Sequence, residues 1–276
     1  MNLLEVKGVS FAYAQNSVLE NITFHMGAGE VFCLIGPNGS GKTTLLDCIM
    51  GILPLKQGNI FLNGNNIIGL KAKQIAQIVS YVPQIHKKTF PYTVEEIVLM
   101  GRASHIGMFN SPNNNDILIA QEAIESVGIT HLLKRPYTEL SGGEGQLVMI
   151  ARALAQKPKI MILDEPTTYL DFQNSLIILD IIRKLIKKKN LSVMLATHYL
   201  NHAFYFENNG LSTLTAILNQ KNFVVLGRPS EILTRQNIDK FFNIESRIIE
   251  YNSDEKKKQK YIIPIRLLKK EGKDVV

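Results

Sequence analysis

Three short apolar runs open the chain, each interrupted by polar positions: Leu3-Leu4-Glu5-Val6, Val9-Ser10-Phe11-Ala12-Tyr13 and Ile22-Thr23-Phe24. This alternation predicts half-exposed antiparallel strands that form a small β-subdomain. The pattern then changes. Residues 31–35 are wholly apolar, which predicts a strand buried on both faces. A short helix is expected over 44–50, ended by Gly51, and a strand over 58–64 that closes in an Asn-Gly turn. Residues 78–82 give another strand, stopped by Pro83. From Thr93 to about residue 156 the spacing turns helical, with Ile117, Leu118, Ala120, Ala123, Ile124 and Val127 as one apolar set and Gly128 as its stop. The polar stretch 110–115 supplies an N-cap region for that helix, and residues 146–155 form a further helical segment. Residues 160–163 are an apolar strand ending in Asp164-Glu165 and broken by Pro166. Residues 191–196 are the last buried strand, ending in Thr197-His198. Beyond about Asn219 the pattern weakens, and no internal repeat is visible.

Composition narrows the class. At 276 residues and 45% hydrophobic content the chain can bury a real core, as one large α/β domain with an elaboration or as two smaller domains. The net charge of +7 suits an anionic ligand, a membrane surface or nucleic acid, and equally a plain basic surface. The lysine runs 187–189 and 256–258 read as solvated faces. Cys33 and Cys48 are the two cysteines, too few for a disulfide framework or a cysteine metal site, and both read as small buried hydrophobes in a reducing compartment. His25, His86, His105, His131 and His202 show no metal-ligand spacing. The N-terminus lacks the basic start and apolar core of a signal peptide. No apolar run approaches the roughly 18 residues that span a bilayer. A cytoplasmic chain is the expectation.

Candidate chemistry sits at the ends of the apolar strands. Directly after the 31–35 run come Gly36, Pro37, Asn38, Gly39, Ser40, Gly41, Lys42, Thr43 and Thr44, which match G-x-x-x-x-G-K-S/T without a mismatch. The glycines let backbone N–H groups converge on one point, and the following helix turns its positive dipole end toward the same anion. Lys42 would reach the β- and γ-phosphates and the Thr43 hydroxyl would hold Mg²⁺. Tyr13 is placed where a ring could stack on a purine or simply pack. Gln84 follows a strand end where ligands bind in an open parallel sheet, and is equally a turn residue. LSGGE at 140–144 sets Ser141, Gly142 and Gly143 before a helix, a second anion site by the same logic. Asp164 and Glu165 are two adjacent carboxylates, costly together unless cations or separate tasks stabilise them; Asp164 reads as the Mg²⁺ partner and Glu165 as aimed at the attacking water. His198 ends a strand of the same sheet.

Taken in order, GPNGSGKTT, Gln84, LSGGE, Asp164-Glu165, Leu170-Asp171 and His198 resemble the nucleotide-binding subunits of ABC transporters, over nearly all of the chain to about residue 245. The resemblance implies a P-loop NTPase core with a mostly parallel sheet, an N-terminal antiparallel β-subdomain and an inserted α-helical subdomain at about 90–156. Together these make an ABC ATPase domain over 1–245, with 246–276 as a C-terminal extension. It implies ATP and Mg²⁺ as ligands. Two copies would pack head to tail, so that Ser141 and Gly143 act on the partner copy's nucleotide. In these roles Tyr13 stacks adenine, Lys42, Thr43 and Thr44 hold phosphates and Mg²⁺, and Gln84 senses the γ-phosphate and the membrane subunit. Asp164 supports Mg²⁺, Glu165 is the general base, His198 contacts the γ-phosphate, and Asp171 belongs to the nucleotide site. Hydrolysis is in-line phosphoryl transfer to water, which rests on positioning and charge stabilisation.

A narrower likeness lies in Thr89-Phe90-Pro91-Tyr92-Thr93-Val94, Met100-Gly101-Arg102 and Asn201-His202-Ala203-Phe204, which are similar to the ATPases of importers for iron-siderophore, haem and cobalamin complexes, and for molybdate and tungstate. It implies two integral membrane permease subunits, a separate substrate-binding protein, no nucleic acid, and a peripheral position on the inner face of the cell membrane. The alternative is a soluble ABC-type ATPase acting on nucleic acid or ribosomes, which the charge permits; such proteins usually carry two cassettes or a long coiled-coil insertion, and neither is present here. A nucleotide-binding module without catalysis is disfavoured by Lys42, Asp164, Glu165 and His198. The chain departs from the family at three places. Gly145 and Gln146 follow LSGGE where Arg or Gln and then Gln are usual, and a helical Gly costs up to about 1 kcal/mol relative to Ala. Tyr199 replaces the acid after the histidine, and Thr168-Tyr169 replace small residues. The sequence supplies no physical reason for the last two.

Overall fold

The computed structural model describes residues 2–84, 89–107, 110–252 and 258–268. His86, Lys256 and Lys257 lie outside the described residues. The two apolar runs at 3–6 and 9–13 belong to one strand, β1 (Leu4–Tyr13), whose register against β2 (Asn16–Met26) shifts between Val6 and Val9. β1 also pairs with β4 (Gln57–Leu62), which pairs with the two-residue β5 (Asn65–Asn66), giving an antiparallel sheet in the order β2-β1-β4-β5.

The second sheet is built on β3 (Val31–Ile35), with every residue buried because both faces are covered. Phe32 and Leu34 face a core shared with the antiparallel sheet and with α1 (Lys42–Ile49); Val31, Cys33 and Ile35 face a core shared with the helices on the other side. This two-sided burial is why the strand reads as an unbroken apolar run. Phe24 stacks on Phe32 at 4.3 Å and closes the space between the sheets. Four more strands run parallel with or beside β3: β6 (Val79–Val82), β7 (Ile160–Asp164), β8 (Ser192–Thr197) and β9 (Thr213–Asn219). With β10 (Asn222–Gly227), antiparallel to β9, the sheet order is β10-β9-β3-β8-β7-β6.

A short helix, α2 (Ala72–Ala76), precedes β6, and between β6 and β7 the chain forms α3 (Val94–Leu99), α4 (Asn114–Val127) and α5 (Gly142–Ala155). Thr93, Asn113 and Ser141 each cap one of these helices through capping boxes with Glu96, Asp116 and Glu144. The buried face of α4 is Asp116, Ile119, Ala120, Ala123, Ile124 and Val127. Ile117 and Leu118, expected in that face, are 41% and 57% exposed. The correction has a physical cause: the first turn of the face is occupied by an acid. Asp116 is buried against Arg102 at 3.0 Å, and Arg102 also donates to the Ala155 carbonyl at 2.8 Å.

The remaining elements are regular, including those beyond about Asn219, where the sequence pattern weakens. α6 (Phe172–Lys189) buries Ile178, Leu179, Ile182, Leu185 and Ile186, and its three terminal lysines are exposed beside its negative dipole end. α7 (Asn201–Asn208), α8 (Pro229–Ile232) and α9 (Arg235–Phe242) follow. β11 (Ile244–Asn252) and β12 (Lys258–Leu267) make a two-stranded antiparallel sheet. α7 grips the β12 backbone: the Asn201 amide donates to the Ile262 carbonyl at 3.0 Å and accepts its N–H at 2.8 Å, and Asn208 does the same at Lys260 at 3.0 and 3.3 Å. No helix among the described residues is long and apolar enough to cross a membrane.

Candidate active site

Parallel strands deliver their carboxyl ends to one edge, so β3, β8, β7 and β6 place the loop 36–41, His198, Glu165 and Gln84 side by side. The first of these, the loop, is shaped by glycine. A Cβ on Gly36 would collide with the Leu218 carbonyl and come within 2.6 Å of Ser40 Oγ, so the loop can lie against β9 only without a side chain there. Gly41, at φ 102, turns the chain into α1, whose first residue is Lys42. Lys42 is buried, and its Nζ donates to the carbonyls of Gly36 at 2.9 Å and Pro37 at 3.2 Å. Pro37, Asn38 and Gly39 are exposed at the loop's tip.

Asp164 and Glu165 divide in two directions. The Asp164 carboxylate accepts hydrogen bonds from Thr43 Oγ1 at 2.9 Å and the Tyr81 hydroxyl at 3.3 Å. Burial holds its carboxyl above the ordinary carboxylate range; the Thr43 bond opposes this and the Glu165 charge reinforces it. Glu165 is also buried and sits at φ 49, in the left-handed region that non-glycine residues seldom occupy. Four groups converge on it: Lys42 Nζ at 3.5 Å, Thr168 Oγ1 at 3.0 Å, Gln84 Nε2 at 3.4 Å and His198 Nδ1 at 2.8 Å.

These residues fit a nucleotide triphosphate and its cation. Ser40 Oγ is buried at the loop with no hydrogen-bond partner among the described residues, an orphan that a phosphate oxygen would satisfy. The Thr43 hydroxyl beside a buried carboxylate is an oxygen pair suited to a hard cation such as Mg²⁺, which keeps most of its ligands as water and phosphate. Accordingly, no group of three or more His, Cys, Asp or Glu capable of holding a metal occurs among the described residues.

Behind His198 lies a second layer. Thr197 Oγ1 accepts the Tyr199 N–H at 3.0 Å and lies 3.0 Å from His202 Nδ1. Burial, and secondarily the charge on His198, pushes His202 down to about 4 from its ordinary 6.5. The unfolded chain therefore takes up a proton near pH 6.5 that the folded chain refuses until about pH 4, so the associated stability is complete above 6.5 and declines as pH falls toward 4. Thermal unfolding followed from pH 7 to pH 4.5 should show the midpoint falling with acidification. His202→Gln should flatten that fall, and an equally steep decline in the variant would remove His202 as its source.

The remaining sequence candidates are set apart from this edge. Tyr13 is half exposed, its ring centroid 4.8 Å from that of Phe11 with the two planes at 85°. Ser141 caps α5, its Oγ accepting the Glu144 N–H at 3.3 Å. The same helix end packs on α6: a Cβ on Gly143 would meet Asn174 at 2.8 Å, and Gly142 lies against Leu170. Asp171 is the N-cap of α6, accepting from the Asn174 N–H at 2.7 Å and its side-chain amide at 2.8 Å. Ser141, Gly143 and Asp171 thus form a neighbouring cluster, while the loop 36–44 has its hydrogen bonds to Asp164 and to its own carbonyls. Thr168 and Tyr81 escaped sequence reasoning as site residues. Thr168, unexplained as a departure from small residues, is a hydrogen-bond donor to Glu165.

The open parallel sheet and its phosphate loop define a P-loop NTPase. The family profile described as ABC transporter matches residues 19–168. MolC of Haemophilus influenzae, a molybdate import ATP-binding protein, is 36% identical over 242 residues, 87% of this chain and 88% of MolC. FhuC of Bacillus subtilis, an iron(3+)-hydroxamate import ATP-binding protein, is 33% identical over 249 residues, 90% of this chain and 91% of FhuC. A chain from a metal-chelate type ABC transporter in an inward-facing conformation shares 32% identity and a TM-score of 0.84, covering 96% of this chain and 98% of that one. The chain belongs to the ABC transporter family, as an ATP-binding cassette, and ATP hydrolysis is its reaction.

Proposed function

We propose that this chain energises import of a metal chelate, such as an iron-siderophore, haem or cobalamin, or of an oxyanion such as molybdate. It would work as a head-to-tail dimer on two membrane permease subunits fed by a separate substrate-binding protein. The observation that carries the catalytic part is the convergence of Lys42, Gln84, Thr168 and His198 on Glu165, beside a loop with an orphaned buried Ser40 hydroxyl. The importer class is supported by MolC, FhuC and the metal-chelate transporter chain.

Loop amides and Lys42 hold the β- and γ-phosphates, Lys42 exchanging its bonds to the Gly36 and Pro37 carbonyls for phosphate oxygens. Thr43 and Asp164, with Gln84 as a further candidate ligand, would hold Mg²⁺, which would supply charge to offset that on the phosphate oxygens. Glu165 accepts the proton of the attacking water, and His198 donates from Nε2 to the γ-phosphate while its Nδ1 stays on Glu165. Thr44, the residue after Thr43 in α1, assists at the phosphates. Tyr13 offers its half-exposed ring to adenine. Asp171 with Ser141, Gly142 and Gly143 completes the site of a second copy.

Purification tests the assignment. Tagged chain expressed at native level should be recovered from detergent-solubilised membranes together with polytopic permease subunits. Its ATP turnover in proteoliposomes should rise several-fold with binding protein loaded with ferric siderophore, haem, cobalamin or molybdate. Recovery only in the soluble fraction, with turnover stimulated by RNA, would overturn the importer assignment.

A further inference from the structure

Tyr199 occupies the turn between β8 and α7, next to His198. Its ring centroid lies 4.1 Å from the His198 imidazole, with 37° between the planes, and 5.1 Å from the His202 imidazole at 44°. The His202 contact lies in the range over which aromatic pairs attract beyond the area they bury, and the His198 contact is closer still. The three rings are pinned from behind. Thr197 Oγ1 accepts the Tyr199 N–H and meets His202 Nδ1, both at 3.0 Å, so the backbone of Tyr199 and the ring beneath it share one hydroxyl.

The arrangement matters because of how His198 is held. Its side chain is 36% exposed, and its Nδ1 contacts Glu165 at 2.8 Å. A ring anchored at one nitrogen can still pivot about that bond, and a second aromatic face laid against it removes the pivot. Core packing does not account for Tyr199, which is itself 45% exposed. Nor is the contact a consequence of chain adjacency alone, because consecutive side chains do not ordinarily face one another, and here the Tyr199 N–H is held by the Thr197 hydroxyl while its ring contacts His198.

We infer that Tyr199 is a positioning residue for ATP hydrolysis: its ring fixes the plane of the His198 imidazole, so that Nε2 is presented to the terminal phosphate while Nδ1 remains on Glu165. This rests on the assignment of His198 to the γ-phosphate. It also gives the aromatic residue at this position, where an acid is usual, a specific task. The acid could hold the histidine by charge, whereas the ring holds it by shape. Misorientation of a group that acts mainly in the transition state lowers kcat and leaves ground-state nucleotide binding nearly unchanged.

The test uses the full chain and compares steady-state ATP turnover of Tyr199→Ala, Tyr199→Leu and Tyr199→Phe with that of His198→Ala. Tyr199→Leu keeps bulk without an aromatic face, and melting temperatures confirm that each variant is folded. Tyr199→Ala and Tyr199→Leu should lose about tenfold in kcat with KM for ATP changed less than about twofold. Tyr199→Phe, which keeps the ring and loses the hydroxyl, should stay within about twofold of the parent in both constants. Wild-type kcat in Tyr199→Ala and Tyr199→Leu, with His198→Ala inactive, overturns the positioning role and leaves the histidine assignment standing. A Phe variant as impaired as Ala overturns the ring contact in favour of the hydroxyl. Full activity in His198→Ala overturns the histidine assignment and the inference with it.

Discussion

Glu165→Gln should reduce ATP turnover at least about a hundredfold, the scale of losing a general base. The side chain would keep its volume and its place between Lys42, Thr168, Gln84 and His198, so the fold should be undisturbed. What disappears is the ability to take the proton of the attacking water. A negative charge also disappears from a buried position 3.5 Å from Lys42, where it competes with phosphate for that cation. Nucleotide affinity should therefore be retained or increased, and in the presence of ATP and Mg²⁺ the variant should accumulate as a stable dimer. Phosphate release and size-exclusion chromatography with ATP measure the two halves of this result. Unchanged turnover would remove Glu165 from the role of base and leave its four contacts as a purely structural network.

Which parts of this site could be read from sequence depended on whether the chemistry is local. The phosphate loop, Asp164-Glu165 and His198 each follow an apolar run, and a parallel sheet buried on both faces forces such runs to end at one edge. The same argument placed Gln84. Thr168 and Tyr81 carry no such signal, since each reaches its carboxylate only after the chain has turned or a neighbouring strand has been laid down.

The helical region shows the limit of hydrophobic pattern. α4 presents the face that begins at Asp116, and because its first position is an acid paired with Arg102, the apolar set had been drawn through Ile117 and Leu118 instead. In α6, by contrast, Ile178, Leu179, Ile182, Leu185 and Ile186 have helical spacing, and the signal was present but dominated by the lysines that follow. The C-terminal strands were obscure for another reason. Six of the alternate apolar positions of β11 and β12, Ile249, Tyr251, Tyr261, Ile263, Ile265 and Leu267, remain at least 40% exposed, so no clean burial pattern marks them. The β12 backbone is held by Asn201 and Asn208 of α7, residues far away in sequence.

The proposed head-to-tail dimer, with its composite sites, can be tested by combining two inactive chains. The Ser141 end of α5 packs on Asn174 of α6 through Gly143 and on Leu170 through Gly142, while Lys42 is bound to its own loop. In a head-to-tail dimer, the phosphate loop of each copy is completed by Ser141 of the other. Homodimers of Lys42→Ala and homodimers of Ser141→Arg should then both fail to hydrolyse ATP. The second variant also loses an N-cap, at about 1 kcal/mol, which leaves it folded. Mixing the two restores activity, because in the mixed dimer both lesions fall on one site and the other site is built from an intact loop and an intact Ser141. With equal amounts and random pairing, half of the dimers are mixed and each has one good site, so the recovery should approach about a quarter of the parent turnover for independent sites. Placing both changes on one chain and pairing it with an unmodified chain gives the opposite result within that dimer, since each site then contains one lesion and both are lost. A site complete within one chain predicts something different: no recovery on mixing, and half of the parent activity in the dimer that carries both changes on one chain.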